Sequence, residues 1–215
     1  MFVIENLTKQ YRAGRPIFQN LHFQFEPAQG VGIIGPNGSG KTTFLRLLSI
    51  TSFPTAGKIS WNGSDIHKNP RTYLNNVGLV HDEEGLPGHL SAYELLEWIL
   101  RSRNNWTNSS PGEIDHLFDK LSLQDRHDLI GTYSTGMKKK AQLAAAFIVR
   151  PRVLIMDEPL RGLDRETRSI VLQMIADIIT ENNTLVLMAS HYVGAESELF
   201  DKVIEFPLTQ SGAMK

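Results

Sequence analysis

The sequence predicts an α/β protein built on a parallel sheet, because short apolar segments alternate along it with segments of helical periodicity. Three apolar runs have the length of buried strands: Val31–Ile34, Val153–Met156 and Thr184–Ala189. Three segments have helical periodicity: Lys41–Ile50, Met137–Val149 and Glu166–Glu181. Helices are expected on both faces of such a sheet, since its strands are apolar throughout.

The first 30 residues predict a different element, an N-terminal antiparallel β subdomain. Phe2–Glu5 and Ile17–Phe25 have extended patterns and lie close together in the sequence. No internal repeat or low-complexity linker separates them from the rest of the chain. With a length of 215 residues, this organisation predicts a single domain spanning residues 1–215.

A helical insertion is predicted in the middle of the chain, at residues 85–132, where the sequence is polar and lacks apolar strands. Ser91 and Glu94 have the spacing of a capping box, in which each side chain satisfies a free backbone donor of the other residue. Asn104–Gly112 has the composition of a loop. We therefore expect a helical subdomain within the α/β core.

The composition excludes several classes of function. The formal net charge of −1 gives no general attraction to nucleic acid, which we do not expect as a partner. The absence of cysteine excludes disulfides, thiolate chemistry and cysteine-ligated zinc. No apolar run approaches the roughly 20 residues of a membrane-spanning helix, and no signal segment is visible. We expect the chain in the cytoplasm.

One segment carries a phosphate-binding motif. Gly35–Thr42 reads GPNGSGKT and matches G-x-x-x-x-G-K-[ST] between a predicted strand and a predicted helix. Its glycines let backbone N–H groups wrap a phosphate at the helix N-terminus, Lys41 adds positive charge, and the Thr42 hydroxyl can ligate Mg²⁺. The motif predicts a P-loop NTPase or a nucleotide-dependent kinase. The structural alternative is a glycine-rich turn.

A pair of acids follows the second apolar run. Asp157, at the end of Val153–Met156, can hold Mg²⁺ through its water shell. Glu158 is then placed to orient an attacking water, which suits phosphoryl transfer because that reaction needs mainly positioning and charge neutralisation. The structural alternative is an acidic turn that caps the following helix.

Three further segments resemble motifs of the ABC ATPases. Tyr133–Lys140 resembles their signature motif, Gly162–Asp164 their D-loop, and Ala189–His191 the segment of their switch histidine. The motifs follow in the right order and spacing from Tyr11 to His191. The chain is identified on this basis as similar to an ABC-type nucleotide-binding subunit.

The resemblance implies roles for individual residues. Tyr11 resembles the aromatic residue that stacks on adenine, with an ordinary edge-strand aromatic as the alternative. Ser134 and Gly136 would contact the γ-phosphate of ATP held by a second subunit, and Ser134 is also placed as a helix N-cap. His191 would touch the γ-phosphate and help hold Glu158. The implied catalytic set is Lys41, Asp157, Glu158 and His191. The other implied nucleotide-binding residues are Asn37, Gly38, Ser39, Gly40, Thr42, Thr43, Thr135 and Asp164.

The sequence departs from the family pattern at two places. Asp82 stands where the family usually has Gln. Its carboxylate is a candidate Mg²⁺ ligand, and its charge alters the electrostatics near the γ-phosphate. The signature has Thr135 and Met137 at positions where Gly and Gln are common, and this form resembles an export-type branch with separate membrane subunits. Three neighbours of Asp82 are expected in a solvated loop without a catalytic role: His81, Glu83 and Glu84.

The resemblance implies a dimer of two ATPase chains, identical or different, that sandwiches two ATP molecules with Mg²⁺. Integral membrane permease subunits would be its partners, with export as the expected direction. The chain would then lie at the membrane surface through those partners. The alternatives are a soluble ABC ATPase of the assembly type, a P-loop kinase for a small molecule, and a catalytically silent regulator of the same fold.

Overall fold

The computed structural model describes residues 1–82, 85–191 and 194–208, so Glu83 and Glu84 lie outside it. The strands are β1 (Phe2–Arg12), β2 (Arg15–Phe25), β3 (Gly30–Ile34), β4 (Ala56–Trp61), β5 (Ser64–Asp65), β6 (Val77–Val80), β7 (Val153–Asp157), β8 (Leu185–Ser190) and β9 (Lys202–Glu205). The α-helices are α1 (Lys41–Leu48), α2 (Pro70–Leu74), α3 (Ala92–Ser102), α4 (Ser110–Lys120), α5 (Thr135–Phe147) and α6 (Arg165–Glu181). Two 3₁₀ turns span Ile130–Thr132 and Ala195–Leu199.

A parallel sheet with the strand order β6-β7-β8-β3-β9 forms the centre of the molecule. Successive residues of its strands enter two separate hydrophobic clusters. In β7, Val153 and Ile155 belong to one cluster, whereas Leu154 and Met156 belong to the other. The sheet is therefore buried on both faces, and this confirms the prediction made from its apolar strands.

Helix α1 and an antiparallel sheet with the order β2-β1-β4-β5 cover one face of the parallel sheet. Phe44 of α1 lies at the centre of this side, with its ring centroid 6.0 Å from that of Phe18, 5.9 Å from Phe23 and 5.6 Å from Phe206. The antiparallel pairing of β1 with β2 confirms the predicted N-terminal β subdomain. Aromatic packing thus fixes the helix that begins with the phosphate-binding motif.

The other face is covered by residues from α3, α4, α5 and α6. The predicted capping box is present at the start of α3, where Glu94 N donates to Ser91 Oγ at 3.1 Å and Ser91 N donates to Glu94 Oε2 at 2.8 Å. The prediction of a loop over Asn104–Gly112 is wrong at its end, because α4 begins at Ser110. Pro111 is compatible with a first helical turn, whose N–H groups have no intrahelical acceptor.

Several other boundaries differ from the predictions. Helix α1 ends at Leu48 rather than Ile50, and α5 begins at Thr135 rather than Met137. Strands β4, β5, β6 and β9 and helix α2 had not been predicted, since all are six residues or shorter and carry little periodicity. No helix in the described part of the chain has the length and apolar character needed to cross a membrane.

We expect Phe44→Ala to lower the free energy of unfolding by about 3–5 kcal/mol, because it removes a fully buried aromatic side chain and leaves a cavity. Urea unfolding measures the change. Trp98→Ala is the control, since the Trp98 side chain is 63% exposed and its loss should change stability by about 0.5 kcal/mol or less. Equal effects of the two substitutions would contradict the central position of Phe44.

Candidate functional site

Four neighbouring strands of the parallel sheet bring one part of the predicted site residues to a single edge. Strand β3 leads into the phosphate loop, β6 is followed closely by Asp82, β7 ends in Asp157, and β8 is followed by His191. The carboxyl ends of parallel strands lie together, which is where α/β proteins bind ligands. A cavity of about 240 Å³ opens there. It is lined by Ile17, Asn37, Gly38, Ser39, Gly40, Lys41, Thr42, Thr43, Asp82, Asp157, Glu158, Arg161 and His191.

The phosphate loop depends on glycine at two positions. Gly40 has a φ of +108°, and a Cβ placed on it would lie 2.7 Å from Ile17 Cγ2. A Cβ on Gly35, whose φ is +156°, would lie 2.3 Å from the carbonyl oxygen of Phe206. Both contacts are shorter than van der Waals distance, so the tight backbone of the loop requires residues without a side chain. The glycines therefore have a demonstrable steric role in shaping the loop.

A buried hydroxyl group lies inside the loop. Ser39 Oγ is buried and lacks a hydrogen-bond partner among the described residues. Unpartnered buried polar atoms are rare in proteins, and a bound ligand is a common reason for them. Ser39 lines the cavity at the N-terminal side of α1. A phosphate there would accept hydrogen bonds from its hydroxyl and from the neighbouring backbone N–H groups. The loop fits the phosphate group that its sequence predicts.

Lys41 connects the phosphate loop to the opposite wall of the cavity. Its side chain is 6% exposed, and Nζ donates to the carbonyl oxygens of Gly35 at 2.6 Å and Pro36 at 3.2 Å. Nζ also lies 3.3 Å from His191 Nδ1. An ammonium group can only donate, so Nδ1 is the acceptor in this contact and Nε2 is the donor of the ring. That Nε2 lies 3.3 Å from Glu158 Oε1. The three side chains form one polar chain across the site.

Glu158 is held in an unusual conformation and environment. Its φ of +49° lies in the left-handed region, which costs a residue other than glycine about 1–3 kcal/mol. Its N–H donates to the carbonyl of Ala189 at 3.1 Å, so β8 supports the turn. Burial raises the pKa of the Glu158 carboxyl; His191 and Lys41 oppose this, whereas Asp157 and Asp82 add to it. Glu158 therefore combines a strained backbone with a buried carboxyl group.

The oxygen groups near Glu158 fit a magnesium ion only in part. Asp157 and Thr42 line the same cavity and supply the oxygen ligands that Mg²⁺ prefers. The described residues contain no group of three or more His, Cys, Asp or Glu side chains that could hold a metal ion. Mg²⁺ commonly binds one or two carboxylates together with substrate phosphates and water, so these residues suffice for that mode. That Asp82 is also a ligand stays a prediction.

Arg161 is a residue of this site that the motifs did not predict. It lines the cavity, with its NH2 group 2.8 Å from Asp82 Oδ1, and its NH1 group donates to Asp82 Oδ2 at 3.1 Å. Its position three residues after Glu158 in the turn that follows β7 is the signal in the sequence that could have placed it here.

Tyr11 lies beside this cavity rather than in it. With Thr42, Asp82 and Asp157 it lines an adjoining cavity of about 540 Å³. Its side chain is 61% exposed, and Lys9 Nζ lies 4.7 Å from the ring centroid. The pairing of β1 with β4 ends at Thr8, so at Tyr11 the strand pairs only with β2, and the alternative of an edge-strand aromatic stays open. Adenine stacking on Tyr11 stays a prediction.

The signature and D-loop residues form a second cluster that does not line the cavity of Lys41. Ser134 is the N-cap of α5 and accepts from Met137 N at 3.3 Å. Asp164 is the N-cap of α6 and accepts from Thr167 N at 2.8 Å. A Cβ on Gly136 would lie 3.0 Å from Gly162 O, so the two turns pack against each other, with Thr135 beside Gly162. Within one chain these residues do not join the phosphate site.

We expect Glu158→Gln to stabilise the nucleotide-free and Mg²⁺-free protein at pH 7. A carboxyl with a raised folded-state pKa binds more protons in the folded than in the unfolded chain, so stability falls as pH rises above its ordinary pKa of 4.5. Glutamine does not ionise, so the variant avoids this loss of stability. Its stability advantage over the unsubstituted chain should disappear as pH falls through 4.5. Urea unfolding between pH 4 and 8 measures the difference.

Asp164→Asn is the matched control with the opposite sign. Hydrogen bonds from Thr167 lower the pKa of the Asp164 carboxyl, so its stabilising effect is present at neutral pH and lost as pH falls through the folded-state pKa. This substitution should destabilise the protein at pH 7. Shifts of the same sign for both variants would contradict the assigned environments.

Comparison with known proteins agrees with this geometry. A model of the ABC transporter family matches residues 18–161. The Bacitracin transport ATP-binding protein of Enterococcus faecalis is 28% identical over 93% of this chain, which spans only 64% of that protein. The Lipoprotein-releasing system ATP-binding protein of Buchnera aphidicola is 31% identical over 86% of each chain. A dimeric structure of a post-hydrolysis state of an ATP-binding cassette bound to ADP and Pi shares the fold, with a TM-score of 0.84 at 19% identity over 96% of this chain and 94% of that one. This chain belongs to the ABC transporter family and has the fold of its ATP-binding cassettes.

Proposed function

We propose that the chain binds ATP with Mg²⁺ at the phosphate loop and hydrolyses the bond to its γ-phosphate. The convergence of Lys41, Asp157, Glu158 and His191 on one cavity carries this proposal. These groups supply a cation for the phosphates, an oxygen ligand for the metal and a carboxylate beside a histidine. Phosphoryl transfer requires little beyond such positioning and charge neutralisation.

Each residue has a distinct task in the proposed reaction. The phosphate loop and Lys41 hold the phosphates, so that Lys41 exchanges its contacts with the Gly35 and Pro36 carbonyls for phosphate oxygens. Thr42 and Asp157 hold Mg²⁺, which when bound neutralises charge on the β- and γ-phosphates. Glu158 accepts a hydrogen bond from the attacking water and orients it. ATP and water become ADP and inorganic phosphate.

His191 restrains the orienting carboxylate in this proposal. The Lys41 contact selects the ring tautomer that presents Nε2–H toward Glu158, so the carboxylate is held at a defined place. Because phosphate oxygens only accept, His191 would contact the γ-phosphate through its Nε2–H, the donor that it also presents toward Glu158. The polar chain thus offers a direct way for the bound nucleotide to alter the surroundings of Glu158.

We further propose that two such chains complete each other's sites. Ser134, Thr135, Gly136 and Asp164 lie outside the phosphate cavity of their own chain, as expected of residues that serve a partner's ATP. The N-terminus of α5 at Ser134 is suited to an anion, because its backbone N–H groups and dipole favour negative charge. An isologous dimer would place two ATP molecules between the chains.

Transport is the proposed use of this ATPase. Residues 1–215 would act as one ATP-binding domain with residues 85–132 as its helical subdomain, peripheral to the membrane and bound to integral permease subunits. The names of the bacitracin and lipoprotein-releasing relatives support a role in transport. The signature form at Ser134–Lys138 favours export as the direction.

We expect Glu158→Gln to bind ATP but to hydrolyse it at least about 100-fold more slowly, because the amide is a poor acceptor for the proton of the oriented water. Trapped ATP should then hold two chains together. Phosphate release and size-exclusion chromatography with and without ATP test both points. Lys41→Ala is the control and should neither bind ATP nor dimerise. A Glu158→Gln protein that stays monomeric with bound ATP would overturn the dimer.

We expect the tagged chain to co-purify from gently solubilised membranes of its own cells with a protein that has several membrane spans. That partner should change the ATPase rate when the two are recombined. An unrelated tagged soluble protein controls for nonspecific recovery. Recovery of soluble proteins alone would contradict the transporter role and favour the assembly-type alternative.

A further inference from the structure

The ion pair between Asp82 and Arg161 joins two walls of the phosphate cavity. Asp82 lies just beyond the end of β6, and Arg161 lies in the turn after β7, 79 residues further along the chain. Arg161 NH1 donates a hydrogen bond to Asp82 Oδ2 at 3.1 Å, and Arg161 NH2 lies 2.8 Å from Asp82 Oδ1. The two side chains are therefore joined by one hydrogen bond and one ion contact, through both carboxylate oxygens.

The pair contributes little to the stability of the fold. The Arg161 side chain is 59% exposed and that of Asp82 is 34% exposed. Water and salt screen exposed ion pairs, which typically stabilise proteins very little. Because both residues line the cavity, we expect the pair to act mainly through the charges that it presents to a ligand there.

The balance of charge around the cavity makes Arg161 important. Among the described residues that line it, two are cations, Lys41 and Arg161, and three are carboxylates, Asp82, Asp157 and Glu158. Without Arg161, Lys41 alone would face three carboxylates in a site that must accept a polyphosphate. Mg²⁺ would offset part of this repulsion, but its charge is partly balanced by Asp157, which is proposed to hold it.

The main chain beside Asp82 is also held from another direction. The Nζ of Lys139, a buried residue of α5, donates to the carbonyl oxygen of His81 at 2.8 Å. This contact restrains the main chain that immediately precedes Asp82. Among the described residues, Arg161 is the cation that contacts the Asp82 carboxylate.

We propose that Arg161 is a positioning residue that neutralises Asp82, so that the cavity accepts the third phosphate of ATP. This inference rests on the proposed function, namely that the site binds ATP. Loss of Arg161 exposes the third phosphate to an uncompensated carboxylate. ADP lacks that phosphate, so the Asp82 carboxylate should repel ADP less than it repels ATP.

The test is nucleotide affinity measured by calorimetry with Mg²⁺ and either ADP or the non-hydrolysable ATP analogue AMP-PNP. We expect Arg161→Met to weaken AMP-PNP binding about fivefold or more, the effect of one unit charge a few ångströms away in a solvated site. ADP binding should weaken less than about twofold. Arg161→Lys retains the positive charge, so its AMP-PNP affinity should be closer to that of the unsubstituted chain.

Neutralising Asp82 supplies the decisive comparison. In the double variant Asp82→Asn with Arg161→Met, AMP-PNP affinity should recover at least about threefold over Arg161→Met, because the repelling charge is gone. Arg150→Met is the matched control. Like Arg161, Arg150 pairs with a carboxylate, that of Glu113 at 3.1 Å, but Arg150 does not line the cavity. The melting temperatures of all variants should agree within about 3 °C.

Three outcomes would overturn the inference. Equal AMP-PNP affinities of Arg161→Met and Arg150→Met would show that the ion pair is only a link between two turns. The double variant could bind as weakly as Arg161→Met, which would exclude charge compensation. Asp82→Asn alone could weaken binding as much as Arg161→Met, which would make Asp82 a ligand that needs its charge. Failure of the unsubstituted chain to bind either nucleotide would instead overturn the proposed function, and this inference with it.

Discussion

Parallel pairing of β6, β7, β8 and β3 places four carboxyl ends side by side, and every feature of the candidate site depends on this arrangement. The pairing is stable because both faces of the sheet are buried, one under α1 and the antiparallel sheet, the other under the remaining large helices. Aromatic packing around Phe44 then fixes the helix whose first residue is Lys41. Rigid elements thus hold the reactive groups, which short turns present to the cavity.

The site contains features that oppose stability and favour chemistry. Glu158 adopts a left-handed conformation and is half-buried among other charges, with a raised pKa caused mainly by burial. Lys41 and His191 offset part of the effect of burial on this pKa, and His191 Nε2 lies 3.3 Å from Glu158 Oε1. Such strain persists only where the surrounding fold holds the residue in place, as β8 does through Ala189.

Local signals made much of the fold and site predictable. The phosphate loop, the acid pair at the end of β7 and the segment with the histidine after β8 are each contiguous in the sequence. Each occurs where a strand of apolar residues ends. Short elements with mixed patterns were missed, among them β4, β9 and α2, because so few residues carry no clear periodicity. The start of α4 was misplaced, since Pro111 suits a loop and a first helical turn equally well.

The linear sequence determined the chemical groups and their order, because a turn motif needs only residues that are neighbours in the chain. The fold decided which distant groups meet. Arg161 faces Asp82 only because β6 and β7 are adjacent in register, and the alternation of strand residues between two cores fixes that register. The same packing sets Ser134 and Asp164 apart from Lys41. Contacts of this kind arise from burial of the whole sheet, which no single motif encodes.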